Sequence, residues 1–362
     1  MANIVEASVK YPDIDSGLGE QLHPDEKALA AQIADVIEKS IRERYQPGHA
    51  RRDAHPKAHG IVRAEFRVNP SIASNLAKGI FESGKTYEAW IRFSNGLQDD
   101  DNKDDARGMA IKVMGVPGEK LLDDERDATT QDFIMINHPV FFLNDPERYL
   151  SFIKESNSHS LLSKLVAPIT LGLKGTLRVA ELSHGKISNP LQVRYWSEVP
   201  YQLGIGPERQ AIKFSAMPTS PSIDPIPSNP GPNYLRDALR STLRESDATF
   251  KLLVQPRTSD NLSVEDSMTE WKEDKAPFYE VATIYIPRQD FDSPEQNAFA
   301  ENISFNPWHA LAEHRPLGII NRLRKVVYDH ISQVRHCMNS VERREPLPGE
   351  SREDLAGAHP QQ

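Results

Sequence analysis

The stretch Tyr87-Glu-Ala-Trp-Ile-Arg-Phe-Ser94 decides the class of fold, because its side chains alternate with a period of two. One side of this segment carries only apolar groups, which are Tyr87, Ala89, Ile91 and Phe93. Alternation of this kind is typical of a half-buried β-strand, in which successive side chains point to opposite faces of a sheet. We therefore expect a strand that directs Arg92 and Ser94 away from its apolar face.

The same alternation recurs on both sides of this strand. It begins upstream at residues 62–68, where charged and apolar side chains alternate. Further candidate strands are 109–113, 132–136, 210–215, 250–255 and 278–286. About seven or eight strands in meander order, with helices at the edges, indicate an α+β fold: an antiparallel β-barrel with helical additions.

Helices, loops and termini complete the predicted architecture. A helix is expected from Pro24 to about Pro47, and residues 145–185 are also predicted to be helical. Two acidic, turn-rich stretches and one proline-rich stretch are predicted to be solvated surface loops, and they are 98–105, 118–131 and 217–232. We expect an extended arm over 1–22, a single domain over 23–341 and a flexible charged tail over 342–362.

Composition narrows the class of function. The chain has 362 residues, of which 38% are hydrophobic, and a formal net charge of −9. An acidic chain is a poor partner for nucleic acid, and no apolar run approaches the length of a membrane span. The single cysteine excludes an intramolecular disulfide and any cysteine-based zinc or iron–sulfur site. Since no secretory signal is visible, we expect a cytoplasmic protein.

The C-terminal segment Arg324-Lys-Val-Val-Tyr328 carries the strongest chemical signal. On a helix with about 100° per residue, Tyr328 and Arg335 both fall within about 40° of Arg324. The apolar stripe beside this face, which should pack inward, is Ile320, Leu323, Val327, Ile331, Val334 and Met338. A guanidinium favours the ionised form of a neighbouring phenol, and a phenolate is a ligand for ferric haem iron. The alternative is a solvated Arg–Tyr stacking pair.

Two histidines upstream are candidates for an acid/base. His55 and His59 lie in the sequence Arg52-Asp-Ala-His-Pro-Lys-Ala-His-Gly60, which leads into the first predicted strand. The pKa of an imidazole suits the acceptance and return of a peroxide proton. Both histidines could equally be polar loop residues at the start of a strand.

Two other polar sites interrupt apolar strands. Arg92 could bind a buried anion such as a propionate, or it could pair with Glu65 across the sheet on a solvent face. Asn137 and His138 lie between an apolar strand and the run Pro139-Val-Phe-Phe142. Polar groups in such a position are either satisfied by the backbone or line a pocket.

Six motifs, in this order along the chain, resemble those of the haem catalase family. They are Arg52-x-x-His55-x-Lys57, Arg92-Phe-Ser94, Arg107-Gly-Met-Ala-Ile-Lys-Val113, Pro139-Val-Phe-Phe142 with Asp145-Pro146, Phe305-x-Pro307, and Arg324-x-x-x-Tyr328 followed by Arg335. The resemblance spans roughly residues 40–340. It implies a catalase-like barrel that binds haem b.

The resemblance also implies roles for single residues. Tyr328 would be the proximal ligand of the iron, and Arg324 would keep it ionised. His55 would be the distal acid/base, with His59 as its rival because the strand from His59 onward is one residue out of register with the family. The expected haem contacts are Arg52, Arg92 and Arg335 at the propionates, with Phe141 and Tyr149 as pocket aromatics.

One departure from the family concerns the distal pocket. With the chain aligned on Pro139, Ile136 occupies the position of the family's distal asparagine. Asn137 could serve as the catalytic asparagine only if the backbone shifted by one residue. Because that asparagine helps to hold a second peroxide molecule, its loss should weaken catalase activity more than the first reaction with peroxide.

The resemblance therefore implies an oxidoreductase that reacts with hydrogen or organic peroxides and with a small organic electron donor. This is a catalase-related peroxidase with weak or moderate catalase activity. The alternatives are an isomerase or lyase of lipid hydroperoxides on the same scaffold, a haem store, and a barrel without haem. The extended arm suggests contacts between the subunits of a homo-oligomer, a dimer or a tetramer.

Overall fold

Eight antiparallel strands close into a barrel in the computed structural model, which describes residues 10–82, 84–157, 161–183, 185–220 and 224–350. The strands of the ring are β1 Ala58–Val68, β2 Thr86–Asn95, β3 Arg107–Met114, β4 Thr130–Ile136, β5 Tyr195–Trp196, β7 Gln210–Pro218, β8 Ala248–Pro256 and β9 Tyr279–Ile286. A short strand, β6 Tyr201–Leu203, pairs with β7 outside this ring. The ring closes where β5 pairs with both β4 and β7. The predicted antiparallel barrel is thus confirmed.

Aromatic side chains fill the interior of the barrel. The ring centroid of Phe133 lies 5.7 Å from that of Phe66 and 5.0 Å from that of Phe214. All three side chains are buried. Close packing of this kind is typical of a small barrel whose centre is a solid core. A ligand site therefore has to lie against the outside of the barrel wall.

Helices cover the barrel from several sides. They are α1 Glu26–Arg44, α2 Pro146–Asn157, α3 Leu161–Ser183, α4 Tyr234–Glu245, α5 Pro294–Asn302 and α6 Ile319–Asn339. α1 packs on α6, where His330 Nε2 lies 2.5 Å from Glu38 Oε2. Among the described residues, no helix is long and apolar enough to span a bilayer. The predicted helices are present, whereas α4, α5, β5 and β6 were not predicted.

The acidic stretch predicted as the solvated loop 98–105 is partly buried instead. The carboxylate of Asp101 has no exposed surface and accepts hydrogen bonds from Lys57 Nζ at 2.6 Å, Asn95 Nδ2 at 2.8 Å and the amide of Leu235 at 3.0 Å. In the second acidic stretch, the buried Lys120 donates to two backbone carbonyls of its own loop. These buried carboxylate and ammonium groups hold the loops in place through hydrogen bonds. The composition of the two stretches alone does not indicate such contacts.

Both chain ends that the structure describes are held against the domain. In the arm, Glu20 is buried and accepts hydrogen bonds from Arg315 and Arg322. Residues 342–350, where we expected a flexible tail to begin, are also packed: Glu345 accepts from Lys112 at 2.5 Å and from Thr130 at 2.6 Å. The rest of the predicted tail, 351–362, and residues 1–9 of the arm lie outside the described residues.

Candidate functional site

Arg324 lies buried on α6 between a carboxylate and two aromatic rings. Its Nη2 donates to Glu198 Oε2 at 3.3 Å, and its Cζ lies 5.4 Å from the ring centroid of Phe141 and 6.0 Å from that of Tyr328. Burial alone would lower the pKa of Arg324, but the nearby phenol of Tyr328 and the carboxylate of Glu198 outweigh burial and raise it. The guanidinium therefore stays charged beside the half-buried Tyr328. Its Nη1 is buried without a hydrogen-bond partner.

The other aromatic side chains predicted for the pocket lie beside this pair. The ring centroid of Tyr149 is 6.1 Å from that of Phe141. Burial raises the pKa of Tyr149, and the neighbouring Tyr328 raises it further. Tyr201 also lies near Arg324, and its hydroxyl is buried without a hydrogen-bond partner. The structure thus brings Phe141, Tyr149, Arg324 and Tyr328 close together.

Glu198 is a member of this group that the sequence did not reveal. Its backbone adopts φ +62°, which is rare for a residue other than glycine and costs about 1–3 kcal/mol. The side chain is only 3% exposed, and burial raises the pKa of its carboxyl to about 7 against the opposing effect of Arg324. A strained, buried carboxyl that titrates near neutrality next to a functional cation marks a candidate functional residue.

Three arginines, the buried Arg92 and Arg335 and the half-buried Arg52, meet at the C-terminal end of α5. Arg52 Nη1 and Arg92 Nε each donate to the carbonyl of Ala300 at 3.2 Å. Arg335 donates to the carbonyl of Glu301. Carbonyls at a helix C-terminus carry partial negative charge and suit cationic partners. The three arginines assigned to the haem propionates therefore form one cluster, although they come from three separate segments.

This cluster carries more positive than negative charge. Glu301 faces it, 3.8 Å from Arg52 and 3.7 Å from Arg92. Arg92 Nη2 is nevertheless buried without a hydrogen-bond partner. Burial, with the repulsion of Arg92 added to it, lowers the pKa of Arg335 to about 10 despite Glu301. The arginines thus have the capacity to bind further carboxylates, and the alternative pairing of Arg92 with Glu65 is wrong.

His55 stands beside this cluster and is held at several points. Its amide donates to the carbonyl of Gly96 at 2.7 Å, and its own carbonyl accepts from Arg92 Nη1 at 3.0 Å. Its Nδ1 lies 3.1 Å from Ser94 Oγ. A Cβ on Gly108 would come within 2.6 Å of that same Nδ1, so only glycine leaves room for the ring. Burial and then the charge of Arg92 lower the pKa of His55 to about 4, which keeps the imidazole neutral at physiological pH.

One row of residues across three strands faces His55. Ser94 on β2 is paired with Gly108 on β3, which is paired with Ile136 on β4. Directly paired residues point to the same face of a sheet, so Ile136 shares the face on which Ser94 contacts His55. The face that His55 contacts therefore carries the apolar side chain of Ile136.

Asn137 and His59 lie elsewhere. Asn137 Oδ1 accepts a hydrogen bond from the backbone amide of Arg107 at 2.7 Å, so its amide oxygen extends the ladder between β3 and β4. His59 is buried 3.9 Å from Asp101, in the group of side chains that organises the loop 98–105. Of the predicted acid/base candidates, the structure places His55 alone beside Ser94 and the arginine cluster.

Four neighbours of the predicted site residues were missed as contributors. Ser94 and Gly108 lie within the quoted motifs, and pairing the predicted strands in register would have placed them beside His55. Glu198 and Glu301 carry no motif, and nothing in their local sequence distinguishes them from surface carboxylates. Their partners are distant in the sequence: Glu301 pairs with Arg92, and Glu198 pairs with Arg324.

Comparison with known proteins agrees with this architecture. The sequence profile of the catalase family matches residues 31–162. No curated protein sequence matches the chain. Structural relatives include a fungal catalase (18% identity, TM-score 0.62, covering 99% of this chain and 75% of that chain), catalase A from Saccharomyces cerevisiae (18%, 0.62, 99% and 78%) and a bacterial catalase (16%, 0.61, 98% and 67%). The predicted resemblance to catalases is confirmed, for the fold over nearly the whole chain and for the sequence over its N-terminal part.

Proposed function

We propose that this chain binds haem b and acts as a catalase-related peroxidase, an oxidoreductase that uses peroxide as its oxidant. The observation that carries the proposal is the cluster of three guanidiniums, two of them buried and that of Arg52 half-buried, which meets a single carboxylate among the described residues and contacts the backbone of His55. A cofactor with two carboxylates would neutralise this cluster. On the other side of the same region, Tyr328 lies beside a cationic Arg324. The two halves of a haem site are thus supported independently.

The residues would divide the work of holding the haem. Arg52, Arg92 and Arg335 would bind the propionates, with the unpartnered Arg92 Nη2 among the donors. Tyr328 would be the ligand of the metal, and Arg324 would stabilise its phenolate. Phe141 and Tyr149, which lie close to Arg324, would line the haem pocket. When bound, haem would supply an iron at which the O–O bond of a peroxide is cleaved.

His55 would move the proton in this reaction. Because its pKa is about 4, the ring is neutral and able to accept a proton at physiological pH. Ser94 holds Nδ1, which leaves Nε2 free to take a proton from the peroxide and to return it to the leaving oxygen. Gly108 allows the ring to lie flat against the barrel wall.

The choice between catalase and peroxidase activity depends on the face that His55 shares with Ile136. An apolar side chain there cannot donate a hydrogen bond to a second molecule of hydrogen peroxide, and the amide group of Asn137 is held at the backbone of Arg107 through its oxygen. We therefore propose that a small organic donor, rather than a second peroxide, completes the cycle. A homo-oligomeric state and a cytoplasmic location stay predictions.

The first experiment tests the haem site. The protein is expressed with added haem precursor, and its absorption spectrum is recorded for the wild type, Tyr328→Phe and the control Tyr285→Phe on β9. We expect a Soret band that is unchanged in the control and displaced or lost in Tyr328→Phe. A chain without a Soret band, or a band that Tyr328→Phe leaves unchanged, would show that the ligand assignment is wrong.

The second experiment separates the activities. Oxygen release from hydrogen peroxide is compared with oxidation of a phenolic donor in the wild type, His55→Ala, His59→Ala and Ile136→Asn. We expect donor oxidation to dominate, to fall by about 10²–10⁴-fold in His55→Ala and to survive in His59→Ala.

Ile136→Asn should raise oxygen release relative to donor oxidation, with Ile136→Val as the control. Vigorous oxygen release by the wild type would contradict the peroxidase proposal, and donor-independent consumption of a fatty-acid hydroperoxide would favour an isomerase or lyase.

A further inference from the structure

A second cluster of ionisable side chains has no part in the proposed function. It forms where three segments meet: Glu125 comes from the connection between β3 and β4, His309 from the segment before α6, and Glu345 from the C-terminal segment. One ligand atom from each lies within 4.8 Å of the other two. The side chain of His309 is fully buried, and those of Glu125 and Glu345 are 14% and 8% exposed.

The neighbours of this cluster orient its ligand atoms. Asp132 Oδ2 lies 3.0 Å from His309 Nδ1 and holds that side of the ring, so Nε2 is directed toward Glu125. In each glutamate, a cation binds one of the two carboxylate oxygens. Arg343 Nε lies 2.9 Å from Glu125 Oε1, and Lys112 Nζ lies 2.5 Å from Glu345 Oε2. A carboxylate behind the histidine is the usual outer partner of a metal-bound imidazole.

One oxygen in the cluster is left without a partner. Glu345 Oε1 is buried, makes no hydrogen bond and lies 3.9 Å from Nδ1 of His309. Lys112 Nζ lies 3.5 Å from the same Nδ1 and donates to the other oxygen, Glu345 Oε2, so Oε1 receives no hydrogen bond from it. A buried carboxylate oxygen that faces other ligand atoms without a donor points to a missing cation.

We propose that Glu125, His309 and Glu345 form a site for a divalent transition metal of the zinc type. One imidazole nitrogen and two carboxylate oxygens are a ligand set that Zn²⁺ accepts, with water as a fourth ligand. At bond lengths of about 2.1 Å, tetrahedral ligands lie about 3.4 Å apart. Glu125 Oε2, which contacts His309 Nε2 directly, therefore has to move away from the ring to admit the ion, and Glu345 Oε1 has to turn toward it. A carboxylate at the end of a flexible side chain can make this movement.

The charges of the network agree with a divalent ion. Its carboxylates are Glu125, Glu345, Asp132 and Asp329, and its cations are Lys112 and Arg343. Four negative and two positive charges leave an excess of two negative charges while His309 is neutral. A proton on His309 would remove one of these charges, whereas Zn²⁺ would remove both. The ion would also fasten the C-terminal segment 342–350 to the loop that precedes α6.

Zinc binding is tested on the full-length protein after treatment with a chelator and dialysis. Zn²⁺ is titrated calorimetrically into the wild type, Glu345→Gln, His309→Gln and the control Glu119→Gln, which removes an exposed carboxylate from the same connection as Glu125. Zinc and iron per chain are measured separately, so the result does not depend on whether haem is bound. We expect one Zn²⁺ per chain and a raised melting temperature in the wild type and the control, and affinity at least about 10–100-fold weaker in Glu345→Gln.

Two outcomes would overturn the proposal. The first is the absence of stoichiometric zinc binding by the wild type, in which case His309 is an imidazolium between two carboxylates. The second is zinc affinity that Glu345→Gln and His309→Gln leave unchanged, which would place the ion elsewhere on the chain. Because His309→Gln can also unfold the segment, Glu345→Gln decides, provided that its circular dichroism spectrum matches that of the wild type.

Discussion

Gly108 has no side chain of its own, yet it determines where the ring of His55 lies. A Cβ at this position would be 2.6 Å from His55 Nδ1 and 2.7 Å from Ser94 Oγ. We expect Gly108→Ala to displace the imidazole and to lower the rate of reaction with peroxide at least about tenfold, since small misplacements of a catalytic group cost this much. Haem content should stay near that of the wild type. Stopped-flow kinetics measure the rate.

The matched control for this substitution is Gly231→Ala, because no atom lies within 4 Å of the Cβ that it adds. It should react with peroxide at the wild-type rate. If Gly108→Ala reacts as fast as the control, His55 is not the group that moves the proton.

The protonation state of Glu198 determines whether Arg324 faces a second anion besides Tyr328. Its carboxyl has a pKa of about 7, so it is neutral at about pH 6 and ionised at about pH 8. When it ionises, its carboxylate competes with Tyr328 for the positive charge of the Arg324 guanidinium. We predict that the absorption spectrum of the ferric haem protein changes with a midpoint near pH 7, and that Glu198→Gln abolishes this transition.

The control for Glu198 is Glu273→Gln, which removes an exposed carboxylate paired with Arg194. This variant should keep the transition near pH 7. A transition that persists in Glu198→Gln would assign it to another group.

At the scale of elements, the C-terminal end of α5 gathers three arginines from distant segments. Glu301 is the carboxylate of this helix that faces them. Glu301→Gln leaves the buried charges less neutralised, so we expect the haem-free protein to melt a few degrees lower. The same change leaves more positive charge for the propionates, so haem should bind about three- to tenfold more tightly. Thermal denaturation and haem titration measure the two effects.

The opposite signs of these effects distinguish a binding cluster from a merely structural one. Glu295→Gln, at the exposed N-terminal end of α5, should change neither quantity by a comparable amount. If Glu301→Gln weakens haem binding in proportion to the loss of stability, the arginines do not hold the propionates.

At the scale of the whole molecule, buried histidines make stability depend on pH. Burial lowers the pKa of His55 and His336 to about 4 and that of His59 and His314 to about 3. The unfolded chain takes up these protons at about pH 6.5. Between about pH 6.5 and 4 the unfolded state therefore binds more protons, so stability falls as the pH falls through this window. Each such group contributes at most about 1.4 kcal/mol per pH unit.

The melting temperature should therefore decrease from about pH 7.5 to about pH 5. In the zinc-free protein His309 acts in the opposite sense, because the carboxylates around it raise its pKa against burial, and it offsets part of the loss. His314→Gln, which keeps an acceptor for the amide of Ile80, should reduce the dependence on pH, whereas the exposed His49→Gln should not. A melting temperature that is constant or rises on acidification would contradict this account.

Local pattern was sufficient for seven of the eight barrel strands and for the closing helix. The alternation in β1 and β2 and the stripe on α6 follow from periodicity, which every segment carries within itself. Short elements such as β5 and β6 were missed because two or three residues show no period. Their strand conformation depends on hydrogen bonds to the strands with which they pair. The start of the predicted tail, residues 342–350, is packed although its charges suggested solvent, because Glu345 pairs with Lys112 in the folded chain.

The sequence by itself determined which chemical groups are present: the Arg324–Tyr328 pair on one helix face, the His55 motif and an isoleucine at position 136. Only the tertiary structure decided which of these groups meet. It placed His55 on Ser94 and Gly108, engaged Asn137 with the backbone of Arg107, and gathered Arg52, Arg92 and Arg335 around Glu301. The physical reason is that burial and charge compensation depend on contacts between distant segments, which no local period encodes.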